Sequence, residues 1–177
     1  AGAVPRSALP CRPASSKRTG MSEPTVFIVD DDQAVARSLR WLIETVRLKV
    51  ETFSSAQGFL DGYDSSKPGC LVLDVRMPGM SGLDLQERLA TQGIKVPIIF
   101  ITGHGDVQMA VRAIQSGAFD FVEKPFNDQD LLGRIQKAIV FDAAQRSKNA
   151  QRAQLRALFA SLTPREREVL DLVVEGM

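Results

Sequence analysis

The sequence predicts an α/β fold in which helices cover both faces of a doubly wound, five-stranded parallel sheet. Three observations lead to this prediction. Short strand-like runs alternate with helical patterns along the chain. The first, third and fourth runs are almost wholly apolar, as parallel strands covered on both faces must be. Charged residues follow several runs at the point where a strand would end. Regular alternation of this kind favours right-handed crossovers within one sheet.

The elements follow one another in a simple order. The predicted strands cover residues 25–29, 50–53, 69–73, 97–102 and 118–123, and the candidate helices between them lie near 33–46, 55–63, 82–92 and 107–115. A fifth helix begins after Phe126, because Asn127 is a suitable N-cap and acidic residues occupy the first turn. Its apolar stripe consists of Leu131, Ile135, Ala138 and Ile139.

After Phe141 the apolar stripe fades. Residues 142–154 are rich in Ala, Gln, Arg and Lys, and we expect them to carry no core face and to form a helical continuation or a semi-rigid linker. A new apolar segment follows at Leu155, Leu158, Phe159 and Leu162. Thr163, Pro164 and Glu166 then predict a helix start with a capping box. The stripe of that helix is Val169, Leu170 and Val173, and Gly176 is a plausible stop. One helix cannot bury its own stripe, so we expect an incomplete second domain.

Composition and charge limit the classes of protein to which this chain can belong. The chain has 177 residues, of which 44% are hydrophobic and 24% charged, which suits one full domain with a smaller appendage. Residues 1–20 hold four basic residues and no acid, residues 21–126 have a net charge of −4, and residues 127–177 have a net charge of +1. The acidic main domain is therefore a poor candidate for binding nucleic acid by itself.

The cysteines and the termini suggest a reduced, cytoplasmic setting. Cys11 and Cys70 do not have metal-type spacing, and Cys70 opens an apolar strand, where a buried free thiol is expected. The longest apolar stretch, near residues 96–101, is far too short to cross a bilayer. The first twenty residues lack the apolar core of a secretory signal, although they superficially resemble a transit peptide. Because Met21 resembles a natural start, we expect residues 1–21 to be a disordered upstream extension or a cloning remnant.

The residues that follow the strands predict a phosphate-handling site. Asp30, Asp31 and Asp32 follow the first strand, and Asp74 follows the third. Carboxylates a few ångströms apart repel each other by roughly 1–4 kcal/mol per pair, and Mg²⁺ would remove that conflict while coordinating phosphate oxygens. A carboxylate can also accept a phosphoryl group as a nucleophile. Lys124, after the fifth strand, supplies a positive charge, and Thr102, after the fourth, supplies a hydroxyl group.

Each of these residues also has an ordinary structural explanation. An aspartate after a strand is often a helix cap, but the whole set at compatible strand ends is much harder to explain as capping. Thr102 alone is a weak signal. Phe119 and Phe121 are of a type that most often lies in a core. His104 is more naturally a loop residue than a catalytic one, since no second histidine or cysteine accompanies it.

With these motifs in place, residues 24–141 resemble the receiver domain of two-component response regulators, whose fold is a flavodoxin-like sheet. The resemblance implies that Asp30 and Asp31 bind Mg²⁺ (or Mn²⁺), that Asp74 is the phosphoacceptor, and that the main-chain carbonyl of Arg76 is a third protein ligand. It also implies that Thr102 is the switch hydroxyl, Phe121 the switch aromatic and Lys124 the phosphate-binding lysine, with a cis bond before Pro125. It further implies a histidine kinase as donor, and dimerisation of the phosphorylated form through the fourth helix and fifth strand.

The motifs at residues 76–79 and 102–106 are most similar to the FixJ subgroup, and residues 161–170 resemble the opening of a LuxR-type helix-turn-helix domain. We therefore expect a receiver at 22–141, a helical linker at 142–158 and the truncated start of an output domain, all-α in class, at 159–177. A helix-turn-helix reads bases with its second helix, which is not in these residues. We accordingly expect no specific operator binding by residues 1–177, and DNA binding only by a full-length protein.

Two other functions are compatible with part of the pattern. A phosphoaspartyl hydrolase of the haloacid dehalogenase class also uses Asp, Thr and Lys on a doubly wound sheet, but here the candidate nucleophile ends the third strand and no late acidic pair follows Lys124. A receiver that acts only through protein contacts is the other alternative, and the 162–170 segment argues against it. The leading hypothesis is a transcription regulator controlled by phosphorylation, which is not an enzyme beyond assisting its own phosphotransfer and dephosphorylation.

Overall fold

In the part of the chain that the structure describes, five strands alternate with five helices. The computed structural model describes residues 23–103, 107–163 and 165–166. The strands are β1 Thr25–Val29, β2 Lys49–Phe53, β3 Gly69–Asp74, β4 Ile98–Thr102 and β5 Asp120–Glu123. The helices are α1 Gln33–Thr45, α2 Ala56–Gly62, α3 Gly82–Thr91, α4 Val107–Gln115 and α5 Asp128–Ser161. The five predicted strands and the first four predicted helices are confirmed, with ends that move by one or two residues.

The strands form a single parallel sheet in the order β2-β1-β3-β4-β5. The three central strands β1, β3 and β4 are buried along their whole length, whereas the edge strands β2 and β5 are partly exposed. This difference explains why only the first, third and fourth runs of the sequence are continuously apolar. The predicted doubly wound α/β class is confirmed.

Each face of the sheet has its own core. On one face, Phe27, Leu71 and Phe100 from the strands pack with side chains of α2, α3 and α4. On the other face, Ile28, Val72 and Ile99 pack with side chains of α1 and α5. Successive residues of a strand point to opposite faces, so each central strand must be apolar at every position to serve both cores.

Side-chain caps mark where the helices begin. Asp32, Ser55, Ser81 and Asn127 are the N-cap residues of α1, α2, α3 and α5, and each accepts hydrogen bonds from backbone amides of the first turn. Ser81 and Asp84 form a complete capping box. Because these caps satisfy the free amides of the first turn, the loops that carry the site residues enter their helices in a defined way.

Helix α5 differs from the sequence-based expectation. It is one helix of 34 residues, so the domain boundaries expected at residues 141 and 158 fall inside it. The expectation that residues 142–154 carry no core face is wrong at Asp142, which is only 2% exposed. Thr163 and Glu166 make the predicted capping-box contacts, while Pro164, Val169, Leu170, Val173 and Gly176 lie outside the described residues.

Phe121 is not a core residue, although phenylalanine most often is, because it lies on the edge strand β5 and is 37% exposed. Phe119 is half-buried and lies against Phe141, with ring centroids 5.4 Å apart. Among the helices that the structure describes, none is long and apolar enough to cross a bilayer.

Candidate functional site

Four of the predicted site residues lie at the same edge of the sheet, each at the carboxyl end of a different strand: Asp30, Asp74, Thr102 and Lys124. The register aligns them, because Val29 pairs with Leu73 and Thr102 pairs with Glu123. The chain order reverses at β1, which has β2 on one side and β3 on the other. Such a reversal opens a crevice outside the carboxyl ends of the strands, where ligands of open α/β sheets bind.

Lys124 bridges two buried carboxylates in this crevice. Its Nζ lies 3.0 Å from Oδ1 of Asp74 and 3.4 Å from Oδ2 of Asp30. Asp30 is 3% and Asp74 9% exposed, whereas the Lys124 side chain is 30% exposed. The site is therefore buried on the carboxylate side and open to solvent on the lysine side.

Backbone amides orient both carboxylates. The Asp32 amide donates to Oδ1 of Asp30 at 2.8 Å, and the Arg76 amide donates to Oδ2 of Asp74 at 2.8 Å. In each carboxylate one oxygen is thus held by the chain and the other faces Lys124. Each carboxylate is therefore held in one orientation, with one oxygen directed towards the lysine.

The surroundings of the site shift the pKa values of Asp30 and Lys124. Burial raises the pKa of Asp30, and the charge of Asp74 adds to this effect, while the Asp32 amide and Lys124 oppose it. Burial also disfavours the charged form of Lys124, but the hydrogen bond to Asp74 and the charges of Asp74 and Asp30 outweigh it, so the pKa of Lys124 is raised. The crevice therefore combines the Lys124 ammonium with two buried aspartates.

A close approach of the backbone completes the wall behind Asp74. The Gly82 amide donates to the Val75 carbonyl oxygen at 3.0 Å, which folds the loop after β3 back onto the strand. A Cβ atom on Gly82 would lie only 2.3 Å from the Asp74 carbonyl oxygen. Sequence reasoning missed this residue. The sequence does contain a signal for it: Gly82 stands at the first position of α3, directly after the N-cap Ser81, where a helix has no need of a glycine.

Thr102 and the segment after β5 occupy the remaining side of the crevice. The Thr102 side chain is buried, and its hydroxyl donates to the Gly103 carbonyl oxygen at 3.3 Å. The Lys124 amide donates to the Thr102 carbonyl oxygen at 2.7 Å, which extends the β4–β5 ladder up to the lysine. The Lys124–Pro125 peptide bond is cis, the isomer that the family resemblance implies.

The rest of the acidic run separates into different roles. Asp31 is exposed. Asp32 is the N-cap of α1, since its Oδ1 accepts from the Ala34 amide at 2.8 Å. His104 lies outside the described residues. The structure therefore brings Asp30 and Asp74 together with Lys124. Asp32 serves as a helix cap, which is the ordinary structural role considered for each aspartate of the run.

The oxygen donors fit a hard cation in part. Mg²⁺ binds through one or two carboxylates and keeps several waters, and Asp30 and Asp74 supply two carboxylates on neighbouring strands. Within residues 23–103, 107–163 and 165–166, no three acidic, histidine or cysteine side chains converge on one point that could hold a metal ion. The Lys124 ammonium lies between the two carboxylates. The assignment of Asp31 and of the Arg76 carbonyl as further ligands stays a prediction.

Comparison with known proteins places this geometry in a family. Residues 26–136 match the family described as the response regulator receiver domain. The chain belongs to that family. Such receivers bind Mg²⁺ at an acidic pocket and pair with histidine kinases, and they are not enzymes in the usual sense. The chain is therefore a response regulator that regulates transcription, and its relatives do not favour the haloacid dehalogenase alternative.

Relatives of this response regulator are similar over most of the chain. The response regulator protein TmoT of Ectopseudomonas mendocina is 49% identical over 87% of this chain and 70% of its own length. The transcriptional regulatory protein FixJ of Bradyrhizobium diazoefficiens is 41% identical over 86% of this chain and 74% of its own. The chain spans about two thirds of the length of other curated relatives.

The solved structure of the response regulator StyR is similar in fold as well as in sequence. It superimposes with a TM-score of 0.82 at 47% identity, covering 88% of this chain and 79% of that one. The receiver and the long helix that follows it thus have a known structural counterpart.

Proposed function

We propose that this response regulator accepts a phosphoryl group on Asp74 from a histidine kinase and thereby controls transcription. One observation carries the proposal: Oδ1 of buried Asp74 lies 3.0 Å from the Lys124 ammonium at the carboxyl edge of the sheet. A nucleophile beside a fixed positive charge suits attack on a transferring phosphoryl group, because the charge that develops on the phosphoryl oxygens needs a preorganised cation.

The chemistry assigns a task to each residue in the crevice. A bond forms between an Asp74 oxygen and phosphorus while the bond from phosphorus to the donor nitrogen breaks, and the leaving imidazole takes up a proton. Lys124 then pairs with a phosphoryl oxygen. When bound, Mg²⁺ (or Mn²⁺) would supply further neutralising charge. Asp30, Asp31, Asp74 and the main-chain carbonyl of Arg76 would hold it.

Thr102 and Phe121 would transmit the effect of phosphorylation from Asp74 to the surface of the domain. The Thr102 hydroxyl can turn from the Gly103 carbonyl towards a phosphoryl oxygen, and Phe121 can move inward. A ligand at the site would thereby favour one of two packings of α4 and β5. That surface exposes Val111, Ile114 and Phe121, which are 50%, 42% and 37% exposed. An apolar patch of this kind fits a homodimer of the phosphorylated form.

The arrangement beyond the receiver follows the same proposal. Residues 22–141 form the receiver, 142–158 the helical linker and 159–177 the start of a LuxR-type output domain. In a full-length protein that output domain would bind DNA, which fits the similarity of this chain to the transcriptional regulatory protein FixJ. A histidine kinase is the proposed donor and the cytoplasm the proposed location.

Mass spectrometry after treatment with a small phosphodonor and Mg²⁺ tests the proposal. We expect one phosphoryl group on the parent protein and none on Asp74→Asn. Asp31→Asn should require more Mg²⁺ for the same labelling. Asp32→Asn is the matched control, since asparagine caps a helix as well as aspartate does, and its labelling should equal the parent's. Unchanged labelling of Asp74→Asn would disprove the assignment.

A further inference from the structure

A second charged network lies at the opposite end of the sheet from Asp74. Asp142, in the middle of α5, is 2% exposed. One of its oxygens, Oδ2, accepts from the Gly69 amide at 2.9 Å and from Nε of Arg146 at 2.7 Å. A buried carboxylate is costly unless it is paired and hydrogen-bonded, and both requirements are met here by groups from two separate parts of the chain.

Arg146 extends this network to the loop before β3. Its Nη1 donates to the carbonyl oxygens of Ser65 and Ser66 at 3.0 and 3.4 Å, and its Nη2 donates to that of Lys67 at 2.8 Å. The guanidinium group thus joins three consecutive backbone carbonyls to the Asp142 carboxylate. Only a rigid fork of several donors can do this, so lysine would not replace arginine here.

This network binds the start of β3, which is itself held by close backbone contacts. Gly69 opens the buried strand β3, and a Cβ atom there would lie 1.8 Å from the Thr25 carbonyl oxygen. The preceding carbonyl, that of Pro68, accepts from the Thr25 amide at 2.8 Å. The backbone at the start of β3 is therefore held against β1 on one side and against α5 on the other.

Beyond this network the side chains of α5 are exposed to solvent. Every residue from Ser147 to Ser161 is exposed, and these fifteen positions span about 22 Å of helix. Helix ends without tertiary packing fray and swing easily. The first half of α5 is held on the sheet by Leu131, Ile135 and Ala138. The contacts of Asp142 and Arg146 are the last polar ones before the exposed part begins.

We propose that Asp142 and Arg146 form a clasp that fixes the direction in which α5 leaves the receiver. The clasp makes the exposed part of α5 a stiff arm, so that a domain carried after it keeps a defined position relative to the receiver. The inference does not depend on phosphorylation of Asp74, because Gly69 and Asp74 lie at opposite ends of β3, about 17 Å apart.

Electron paramagnetic resonance distances test the clasp. Spin labels at Glu87→Cys on α3 and Gln151→Cys on α5, in a Cys11→Ser background, report the direction of the arm, and buried Cys70 does not take up label. We expect a single narrow distance distribution for the parent chain. Arg146→Gln and Asp142→Asn should broaden it at least twofold. In Asp142→Asn the Gly69 amide should also exchange about tenfold faster, since its acceptor loses its charge.

Arg152→Ala is the matched control, because Arg152 is an exposed arginine on the same helix and no described hydrogen bond involves it. Its distribution should equal the parent's. Circular dichroism and labelling of Asp74 confirm that each variant is folded. If a folded Arg146→Gln protein keeps the parent's narrow distribution, or if Arg152→Ala broadens it equally, the clasp does not set the direction of the helix.

Discussion

Neighbouring aspartates after β1 have different environments and therefore different tasks. Asp30 is buried, contacts Lys124 and has a raised pKa because burial disfavours its charge. Asp32, two residues later, is exposed and caps α1. At the scale of single residues, the identity of a side chain predicts its chemistry, whereas its surroundings decide whether that chemistry is used.

Loss of the Lys124 charge should impair phosphotransfer more than it impairs folding. In Lys124→Gln, the carboxylates of Asp30 and Asp74 lose their shared cation, and the transferring phosphoryl group loses a preorganised charge. We expect the rate of labelling with a small phosphodonor to fall by about 10²-fold. The control Lys137→Gln removes an exposed lysine of α5 and should label at the parent's rate. Equal rates for the two variants would contradict the role assigned to Lys124.

Cys70 should be inert in the folded protein. Burial, together with the charge of Asp142, raises the pKa of its thiol to about 12. Because the folded state holds this proton more tightly than the unfolded state, the stabilising contribution is complete below pH 9 and is lost as the pH rises from about 9 to 12.

We therefore expect a disulfide reagent to modify Cys70 at pH 8 only as fast as the protein unfolds, in a Cys11→Ser background. The denaturation midpoint should decrease steadily above pH 9. Rapid modification of the folded protein at pH 8 would show that the thiol is accessible.

At the scale of elements, the contact between β3 and α3 forms the back wall of the site. Gly82 is the point of contact, since no side chain fits between it and the Asp74 carbonyl oxygen. A capping box at Ser81 and Asp84 starts the helix at that point. The loop from β3 to α3 is thus held at both ends.

Gly82→Ala should therefore destabilise the protein by about 1–3 kcal/mol, because the new methyl group forces the backbone apart. It should also slow labelling of Asp74. Gly133→Ala is the control, since Gly133 lies within α5 with nothing near its Cβ position. That change should stabilise the protein by about 0.5–1 kcal/mol. Urea denaturation measures both effects, and a Gly82→Ala protein as stable as the parent would refute the close contact.

At the scale of the whole molecule, α1 and α4 pack on opposite faces of the sheet and present different apolar side chains to solvent. Val111 and Ile114 are exposed on α4, and Trp41 is 73% exposed on α1. The two surfaces can therefore be tested separately for a role in assembly.

Sedimentation with a phosphate mimic tests the proposed dimer. We expect a monomer without the mimic and a dimer of about twice the mass with it. Ile114→Lys should keep the protein monomeric in both conditions, because it places a charge in the α4–β5 surface. Trp41→Gln, on the other face of the sheet, should dimerise as the parent does. An unchanged monomer mass for the parent in both conditions would rule out this surface as a phosphorylation-dependent interface.

The sequence by itself determined the sheet, its parallel strands and the edge at which the chemistry lies. Strands buried on both faces must be apolar at every position, so β1, β3 and β4 were recognisable without a structure. Parallel strands also place their carboxyl ends together, so Asp30, Asp74 and Lys124 could be assigned to one site from their positions alone. These properties depend on the spacing of apolar residues and on the direction of the strands, and both can be recognised from short stretches of sequence.

Only the tertiary structure decided which polar residues are buried and which apolar ones are exposed. Asp142 is polar in a stretch without an apolar stripe, and it is buried because the Gly69 amide, 73 residues earlier, lies against it. Phe121 is apolar and exposed, because β5 lies at the edge of the sheet. Gly82 must lack a side chain because the Asp74 carbonyl oxygen lies 2.3 Å from the position of its Cβ. Each of these outcomes depends on a contact between distant parts of the chain, and periodicity contains no information about such contacts.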